Sequence, residues 1–161
     1  MAIEPREFRN ALGCFATGVT VITTVDEAGA PVGITANSFT ALSLDPPLVL
    51  FCLDRKAMSF EAFHRNRHFT VNMLREDQQA LSAQFARSNI DKWSGVRFAA
   101  GRNGCPILAG CIAILECDVD SIYEGGDHVI IVGQVVDVEY QAEPCRPLLY
   151  YRGRYNGVSG S

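Results

Sequence analysis

A long pair of alternating segments in the second half of the sequence constrains the fold more than any other feature. From Ile107 to Tyr123 apolar residues alternate with polar or small ones, and a second such segment runs from His128 to Tyr140. Gly125-Gly126-Asp127 stands between them, so the two segments predict a long β-hairpin with glycine at its tip. Gly133 interrupts the second segment and predicts a bulge, or a bend at the corner of a barrel.

Four further segments predict strands. Val19–Val25 is rich in β-branched residues, and Pro31–Thr35 follows it across the turn at residues 26–30, which together predict a hairpin. Leu48–Leu53 is apolar throughout and predicts a strand that follows the rigid Asp45-Pro46-Pro47 turn. The alternation from His68 to Leu74 is typical of a half-buried strand.

Helices are few and short. Phe8, Leu12 and Phe15 form one apolar stripe and predict a helix from Glu4 to Phe15. Lys56–Arg65 and Asp77–Phe85 predict two more helices, and the polar segment Arg87–Cys105 predicts mostly exposed loop around Trp93. Six or seven strands without strand–helix–strand alternation predict a mainly β fold, an antiparallel barrel with a few peripheral helices.

Size and charge exclude several classes of function. A chain of 161 residues with 48% hydrophobic content predicts one domain with a single well-buried core. The net charge of −4 and the scattered basic residues argue against a nucleic-acid partner. No apolar run is long enough to cross a membrane and the first residues do not resemble a signal peptide, so we expect a cytoplasmic protein. The six cysteines contain no CxxC pair, and we expect them to be reduced.

Known chemical motifs are missing. Neither GxGxxG nor GxxxxGK[ST] occurs, so no dinucleotide-binding helix of the Rossmann or P-loop type is predicted. GxSxG is absent too, which argues against a hydrolase with a nucleophile elbow. His64 and His68 are four residues apart but fall at a predicted helix-to-strand transition, so no metal site is expected.

The run Thr35-Ala36-Asn37-Ser38 is the best candidate for a ligand site. Its amides and hydroxyls could hydrogen-bond a planar ligand, and Cys52-Leu53-Asp54 could supply a second polar edge from a neighbouring strand. The alternative is that the run is only a strand end with an Asx-type turn. The residues alone do not decide between these interpretations.

Six segments together resemble one family, the short flavin reductases that supply reduced flavin to two-component monooxygenases. The matching segments, in order along the chain, are Ala16–Thr23, Gly33–Leu53, Phe69–Leu74, Gln78–Ala86, Gly126–Val135 and Pro147–Tyr155. The resemblance implies an antiparallel split β-barrel of Greek-key type. It also implies a single flavin reductase-like domain over residues 1–155, which leaves residues 156–161 as a flexible tail.

The resemblance implies roles for particular residues. Thr35, Ala36, Asn37 and Ser38 would line the flavin ring, with Cys52, Leu53 and Asp54 beside them. Ser59 would contact the phosphate, and Phe85 and Ala86 would lie along the ribityl chain, with Arg87 or Lys92 as charge partners. For Phe85 the alternative is a place in the core of its helix.

At the nicotinamide end, the resemblance implies that His128 orients the reduced pyridine nucleotide, which makes it the catalytic-site residue. Its alternative is a histidine that caps a carbonyl on the hairpin. Tyr151 and Arg152 would border the same cleft. No clustered pair of basic residues stands out in the sequence as a pocket for the 2′-phosphate of NADPH, which favours NADH.

Three functions follow from the resemblance. The first is an NAD(P)H:flavin oxidoreductase that reduces FMN or FAD and releases it to a partner monooxygenase. The second is an electron carrier that holds FMN tightly, and the third is a non-catalytic flavin-binding or heme-like module. We also expect a homodimer, because a small barrel cannot bury most of a flavin alone.

Overall fold

The structure, a computed structural model, describes residues 3–159. The first part of the described chain contains α1 (Pro5–Leu12), β1 (Thr17–Gly18), β2 (Thr20–Val25), β3 (Pro31–Ala36), β4 (Thr40–Leu44), β5 (Pro47–Asp54) and α2 (Phe60–Arg65). The second part contains β6 (His68–Met73), a 3₁₀ turn (Glu76–Gln78), α3 (Gln79–Ala86), β7 (Phe98–Ala100), β8 (Pro106–Leu108), β9 (Ala113–Gly125), β10 (His128–Tyr140), β11 (Leu149–Tyr151) and β12 (Arg154–Asn156).

Seven strands form one antiparallel sheet in the order β3-β2-β6-β9-β10-β5-β4. β9 and β10 form the predicted long hairpin, but β9 begins at Ala113 and not at Ile107, because residues 106–108 form β8 and pair with β7. The pairing of β9 with β10 shifts register between Val132 and Gly133, which confirms the predicted bulge. Smaller sheets, β1-β11-β12 and β7-β8, flank the large one. The predicted class, a mainly β antiparallel split barrel with few helices, is confirmed.

The barrel core is aromatic at its centre. Phe51 contacts Phe63 and Phe69 edge to face, with ring centroids 5.7 and 5.2 Å apart. All three rings are buried, so each contributes its whole apolar surface to the hydrophobic stabilisation of the fold. A second cluster, which includes Leu74 and Phe85, packs α3 and the β8 strand against the outside of the barrel.

Buried polar side chains attach the β7–β8 hairpin to the barrel. Thr23 Oγ1 of β2 donates to the Pro106 carbonyl, and Asn72 Oδ1 of β6 accepts from the Leu108 amide at 2.8 Å. Asn72 Nδ2 donates to the Val21 carbonyl at 3.0 Å. These groups would be costly to bury unpaired, so their pairing determines where the hairpin lies.

The first helix is shorter than predicted, and its apolar stripe is not buried. α1 ends at Leu12, so Phe15 lies beyond it. Phe8, Leu12 and Phe15 are 55%, 58% and 78% exposed. The predicted periodicity is therefore present, but no other part of residues 3–159 covers it.

The second helix starts later than predicted. It begins at Phe60 instead of Lys56, because the preceding residues form turns. Asp54 Oδ1 accepts from the Lys56 amide at 2.8 Å and the Asp54 carbonyl accepts from the Ala57 amide at 3.0 Å. The bond from the Asp54 side chain competes with the helical bonding of the main chain.

Five strands lie where none was predicted, namely β1, β4, β7, β11 and β12. β4 is largely exposed at the sheet edge, so it has no burial alternation that a sequence pattern could reveal. β7 falls within the predicted loop Arg87–Cys105. Asn156, the first residue of the predicted tail, ends β12, and residues 160–161 lie outside the described residues.

All six cysteines are free. Cys105, Cys111 and Cys117 are buried as small apolar residues, whereas Cys14 is exposed. No helix within residues 3–159 is long and apolar enough to cross a membrane.

Candidate functional site

A pocket of about 330 Å³ opens where the ends of β3 and β5 meet the start of α2 and the end of α3. These segments are far apart in the sequence, and the barrel brings them together. The predicted site residues that line the pocket are Thr35, Ala36, Asn37, Ser38, Cys52, Leu53, Asp54, Ser59, Phe85, Ala86, Lys92 and His128.

The hydroxyls of the Thr35–Ser38 run hold the pocket wall together. Ser38 Oγ accepts from the Cys52 amide at 3.0 Å and donates to the Cys52 carbonyl at 3.1 Å. Thr35 Oγ1 donates to the Ser82 carbonyl at 2.6 Å. Main-chain carbonyls therefore already take up the donor hydrogens of both hydroxyls, and what these side chains can still offer a ligand is an acceptor oxygen.

Asn37 is the exposed polar side chain of the same run. It makes no side-chain hydrogen bond to any other group within residues 3–159, and it lines the pocket. An amide carries two donors and an acceptor, so it can hydrogen-bond both kinds of group on the edge of a planar heterocycle.

Ser59 carries a buried hydroxyl that lacks a hydrogen-bond partner within the described residues. The Phe60 amide donates to the Ala57 carbonyl at 2.9 Å, so the first amide of α2 is already used and the Ser59 hydroxyl remains. An unpaired buried hydroxyl is costly, and a polar group bound in the pocket would satisfy it. The pocket therefore fits a ligand with a hydrogen-bonding group, such as a phosphate, at this position.

Phe85 belongs to both the core and the pocket. Its side chain is 1% exposed and packs edge to face on Trp93, with centroids 4.9 Å apart. A Cβ on Gly33 would lie 2.6 Å from Phe85 Cε1, so the ring depends on glycine at that position of β3. The two alternatives for Phe85 are compatible, because the ring packs in a core cluster and also borders the pocket.

Lys92 connects β3 to the end of α3. Its ammonium donates to the Phe85 carbonyl at 2.9 Å and to the Gly33 carbonyl at 3.2 Å. Burial lowers the pKa of Lys92 below its ordinary value of 10.5. A third N–H of the ammonium is left beyond these two bonds.

His128 stands at the start of β10, opposite Asp54 of β5. Its Nδ1 lies 2.7 Å from Asp127 Oδ1, so its partner is a carboxylate and not the carbonyl of the alternative interpretation. This hydrogen bond lowers the pKa of the Asp127 carboxyl below 3.8. Asp127 is therefore ionised and accepts at neutral pH, so Nδ1 of the imidazole donates to it and Nε2 is the ring nitrogen that remains for a ligand.

Comparison with known proteins agrees with this geometry. The model of the flavin reductase like domain matches residues 12–159. The chain belongs to the flavin reductase-like family.

Individual relatives cover almost the whole flavin reductase-like chain. The reductase subunit HsaB of a flavin-dependent monooxygenase from Rhodococcus jostii (strain RHA1) is 46% identical over 98% of this chain and 80% of its own. A solved homologue of nitrilotriacetate monooxygenase component B from Mycobacterium thermoresistibile has a TM-score of 0.91 at 46% identity, over 96% of this chain and 86% of that one.

A third similar protein was solved with bound ligands. It is the NADH:FAD oxidoreductase SgcE6 of Streptomyces globisporus C-1027, in complex with NAD and FAD fragments. Its TM-score is 0.89 at 35% identity, and the match covers 97% of this chain and 95% of SgcE6.

Three predicted site residues of this flavin reductase-like chain do not line the pocket. Arg87 is exposed just after α3. Tyr151 and Arg152 lie at the β11–β12 turn beside α1, where the Arg152 amide donates to the Gly13 carbonyl at 2.9 Å. The pairing of β11 with β1 keeps this turn beside α1, so the expectation that Tyr151 and Arg152 border the cleft is not met within one chain.

The prediction also missed part of the lining, namely Ile34, Ala57, Met58 and Ser88. Each lies within two positions of a predicted site residue in the sequence. Their side chains carry no distinctive chemistry, so only adjacency to the matched segments could have indicated them. Among residues 3–159, no group of three or more His, Cys, Asp or Glu could hold a metal ion.

Proposed function

We propose that the protein is an NAD(P)H:flavin oxidoreductase, which transfers hydride from a reduced nicotinamide to FMN or FAD. The observation that carries the proposal is the single pocket where Asn37, the unpaired hydroxyl of Ser59 and the carboxylate-bound imidazole of His128 meet. Membership of the flavin reductase-like family supports the same function.

The residues of the chain would bind the flavin and orient the nicotinamide against it. Asn37 and the main chain at the end of β3 would hydrogen-bond the flavin edge, while Ser59 would hold the phosphate. His128 would position the nicotinamide through Nε2, the ring nitrogen that is not bonded to Asp127. A bound flavin supplies the ring that accepts hydride, so the chain needs to provide position and no protein acid in the hydride step.

We infer that reduced flavin leaves the pocket and serves a partner monooxygenase. Supporting this, relatives are named as reductase subunits or components of such enzymes, including the reductase component of 4-nitrophenol 4-monooxygenase/4-nitrocatechol 2-monooxygenase of Rhodococcus opacus. The cytoplasm is where we expect this exchange to occur. NADH is the expected reductant. A site for the additional 2′-phosphate of NADPH would need clustered basic residues, and Lys92 is the one Lys or Arg among the residues that line the pocket.

A homodimer is proposed from the exposed apolar side chains. α1 presents Phe8 and Leu12, and the edge strand β4 presents Leu44, which is 94% exposed. Val136 and Val138 are exposed on β10 beyond the point where β5 stops pairing. Large exposed apolar groups of this kind mark protein interfaces, and a second copy of the chain would cover them.

The proposed function is tested with the purified protein and added flavin. A reductase should oxidise NADH only when FMN or FAD is supplied, and should emerge from gel filtration with little bound flavin. A yellow protein that retains flavin and oxidises NADH slowly would instead be an electron carrier. Flavin binding without any NADH oxidation would indicate a non-catalytic module.

A further inference from the structure

The turn that joins β9 to β10 leads directly into His128 but contains no buried residue. Residues 123–127 are all exposed, and Gly126 turns the chain with a φ of 73°. Beyond the turn, His128 pairs with Gly125 of β9 and with Asp54 of β5. A turn without buried side chains gains no hydrophobic stabilisation, so its position depends on polar contacts.

Arg55, the residue after β5, makes two such contacts with the turn. Its amide donates to the Asp127 carbonyl at 3.1 Å, which continues the pairing of β5 with β10 past Asp54. Its guanidinium forms an ion pair with the carboxylate of Glu124. The main chain and the side chain of Arg55 therefore hold the turn on both of its sides.

The ion pair crosses the width of three strands. Glu124 of β9 pairs with Val129 of β10, which pairs in turn with Leu53 of β5. The Arg55 side chain thus reaches from the end of β5 past β10 to β9. Neither Arg55 nor Glu124 lines the pocket, so an effect of this ion pair on the reaction would pass through the turn to His128.

We propose that Arg55 and Glu124 are positioning residues, which hold the turn so that the imidazole of His128 faces the nicotinamide. The inference rests on the proposed function, because it assumes that His128 contacts the nicotinamide. The side chains of Arg55 and Glu124 are 39% and 78% exposed, and such ion pairs contribute little to global stability. A small displacement of a group that orients a reactant costs much more in rate. The ion pair should therefore matter for NADH and hardly for folding.

The test is a double-mutant cycle with Arg55→Ala, Glu124→Ala and the variant that combines them. All three keep the main-chain bond to Asp127, so the cycle isolates the ion pair. Each single substitution should lower kcat/KM for NADH about three- to tenfold, and the combined variant should lose no more than either one. The flavin KM should not change, and the Tm should stay within about 3 °C of the wild-type value.

Two further measurements distinguish positioning from a general structural role. Exchanging the charges, with Arg55→Glu and Glu124→Arg in one chain, should restore kcat/KM for NADH to within about twofold of wild type. Hydrogen exchange of residues 125–128, followed by mass spectrometry without flavin or NADH, should be faster in both single variants. Arg102→Ala is the matched control, because it breaks another exposed ion pair, with Asp137, and neither of those residues lines the pocket. It should leave NADH kinetics unchanged.

Each other outcome would overturn the proposal. Unchanged NADH kinetics in both folded single variants would show that the ion pair does not position His128, even if hydrogen exchange becomes faster. A loss with Arg55→Ala but none with Glu124→Ala would mean that Arg55 contacts the dinucleotide itself. Losses that multiply in the combined variant would show two independent roles. If Arg55→Ala does not fold, Glu124→Ala decides. A wild type that oxidises no NADH with either flavin would refute the proposed function, whereas the outcomes above refute only the role of Arg55 and Glu124.

Discussion

Gly133 of β10 faces the ring of Phe69 in β6 so closely that a Cβ on Gly133 would lie 2.5 Å from Phe69 Cε1. The same Cβ would lie 3.0 Å from Cys117 Cβ. Phe69 cannot withdraw, because it is buried against Phe51. The bulge at Gly133 therefore allows the two strands to curve around a large aromatic residue, and glycine is the residue with room to do so.

Gly133→Ala should lower the free energy of unfolding by about 2–3 kcal/mol, because the added methyl overpacks the core. Urea denaturation measures this. Gly18→Ala is the matched control, since a Cβ on Gly18 meets nothing within 4 Å, and it should change stability by less than about 0.5 kcal/mol. Equal stability of the two variants would show that the core yields to the methyl group.

Asn37→Ala and Ser38→Ala should both weaken flavin use more than nicotinamide use, for different reasons. Asn37→Ala removes one hydrogen bond to the ligand, which contributes about 0.5–1.5 kcal/mol, so flavin affinity should fall several-fold. The Tm of this variant should stay unchanged. Ser38→Ala removes both bonds to Cys52, so it should also lower stability by about 1–3 kcal/mol. Thermal melts and flavin KM values separate the two effects. Normal flavin binding by Asn37→Ala would show that Asn37 does not contact the flavin.

His128→Ala should reduce kcat/KM for NADH by roughly ten- to a hundred-fold while flavin affinity remains nearly intact. Turnover should persist, because the imidazole provides position and one hydrogen bond. His128→Gln, which can still accept a hydrogen bond, should recover part of the loss. The measurement is NADH kinetics together with Tm. A destabilised variant with normal kinetics per folded molecule would restrict His128 to a structural role.

Thiol labelling should divide the cysteines by burial. Burial raises the pKa of Cys105 and Cys111 to about 11 and that of Cys117 to about 12. At pH 8 the thiolate of a group with a pKa near 11 is roughly one part in a thousand, so these three should label only after unfolding. Exposed Cys14 should label first. Mass spectrometry after brief alkylation identifies the labelled sites, and rapid native labelling of Cys117 would contradict the buried position.

The same pKa values predict an alkaline limit to stability. A thiol whose folded pKa is raised contributes stability fully below its unfolded pKa of about 9 and loses it as pH rises through the folded pKa. We therefore expect the Tm to fall between about pH 9 and 11. A Cys111→Ala variant should show a weaker dependence over that interval, and an identical pH profile would exclude the contribution of this thiol.

Light scattering at micromolar concentration should give the mass of two chains. Leu44→Glu should shift the protein toward the monomer, since a charge on an interface disfavours burial. Val158→Glu serves as the control for an added surface charge. A monomeric wild type with full activity would refute the dimer.

Local patterns in the sequence determined much of the fold. The alternation of β9 and β10, the glycines at their tip and at the bulge, and the β-branched run of β2 all depend on residues near one another in the chain. Successive side chains of a strand point to opposite faces, so a half-buried strand leaves an alternating pattern that can be read from the sequence. The edge strand β4 did not, because its exposed residues leave no pattern of burial.

The matched segments also identified most of the pocket lining before the structure was known, because they carried the family pattern in order. Only the tertiary structure decided how those residues are used. In the folded barrel Ser38 hydrogen-bonds Cys52, and the ring of Phe85 packs against Gly33. Lys92 hydrogen-bonds the carbonyls of Gly33 in β3 and Phe85 in α3. Tyr151 and Arg152 lie beside α1 and not at the pocket. Each of these is a contact between segments distant in sequence, and its geometry is set by how the whole barrel closes, which no local pattern encodes.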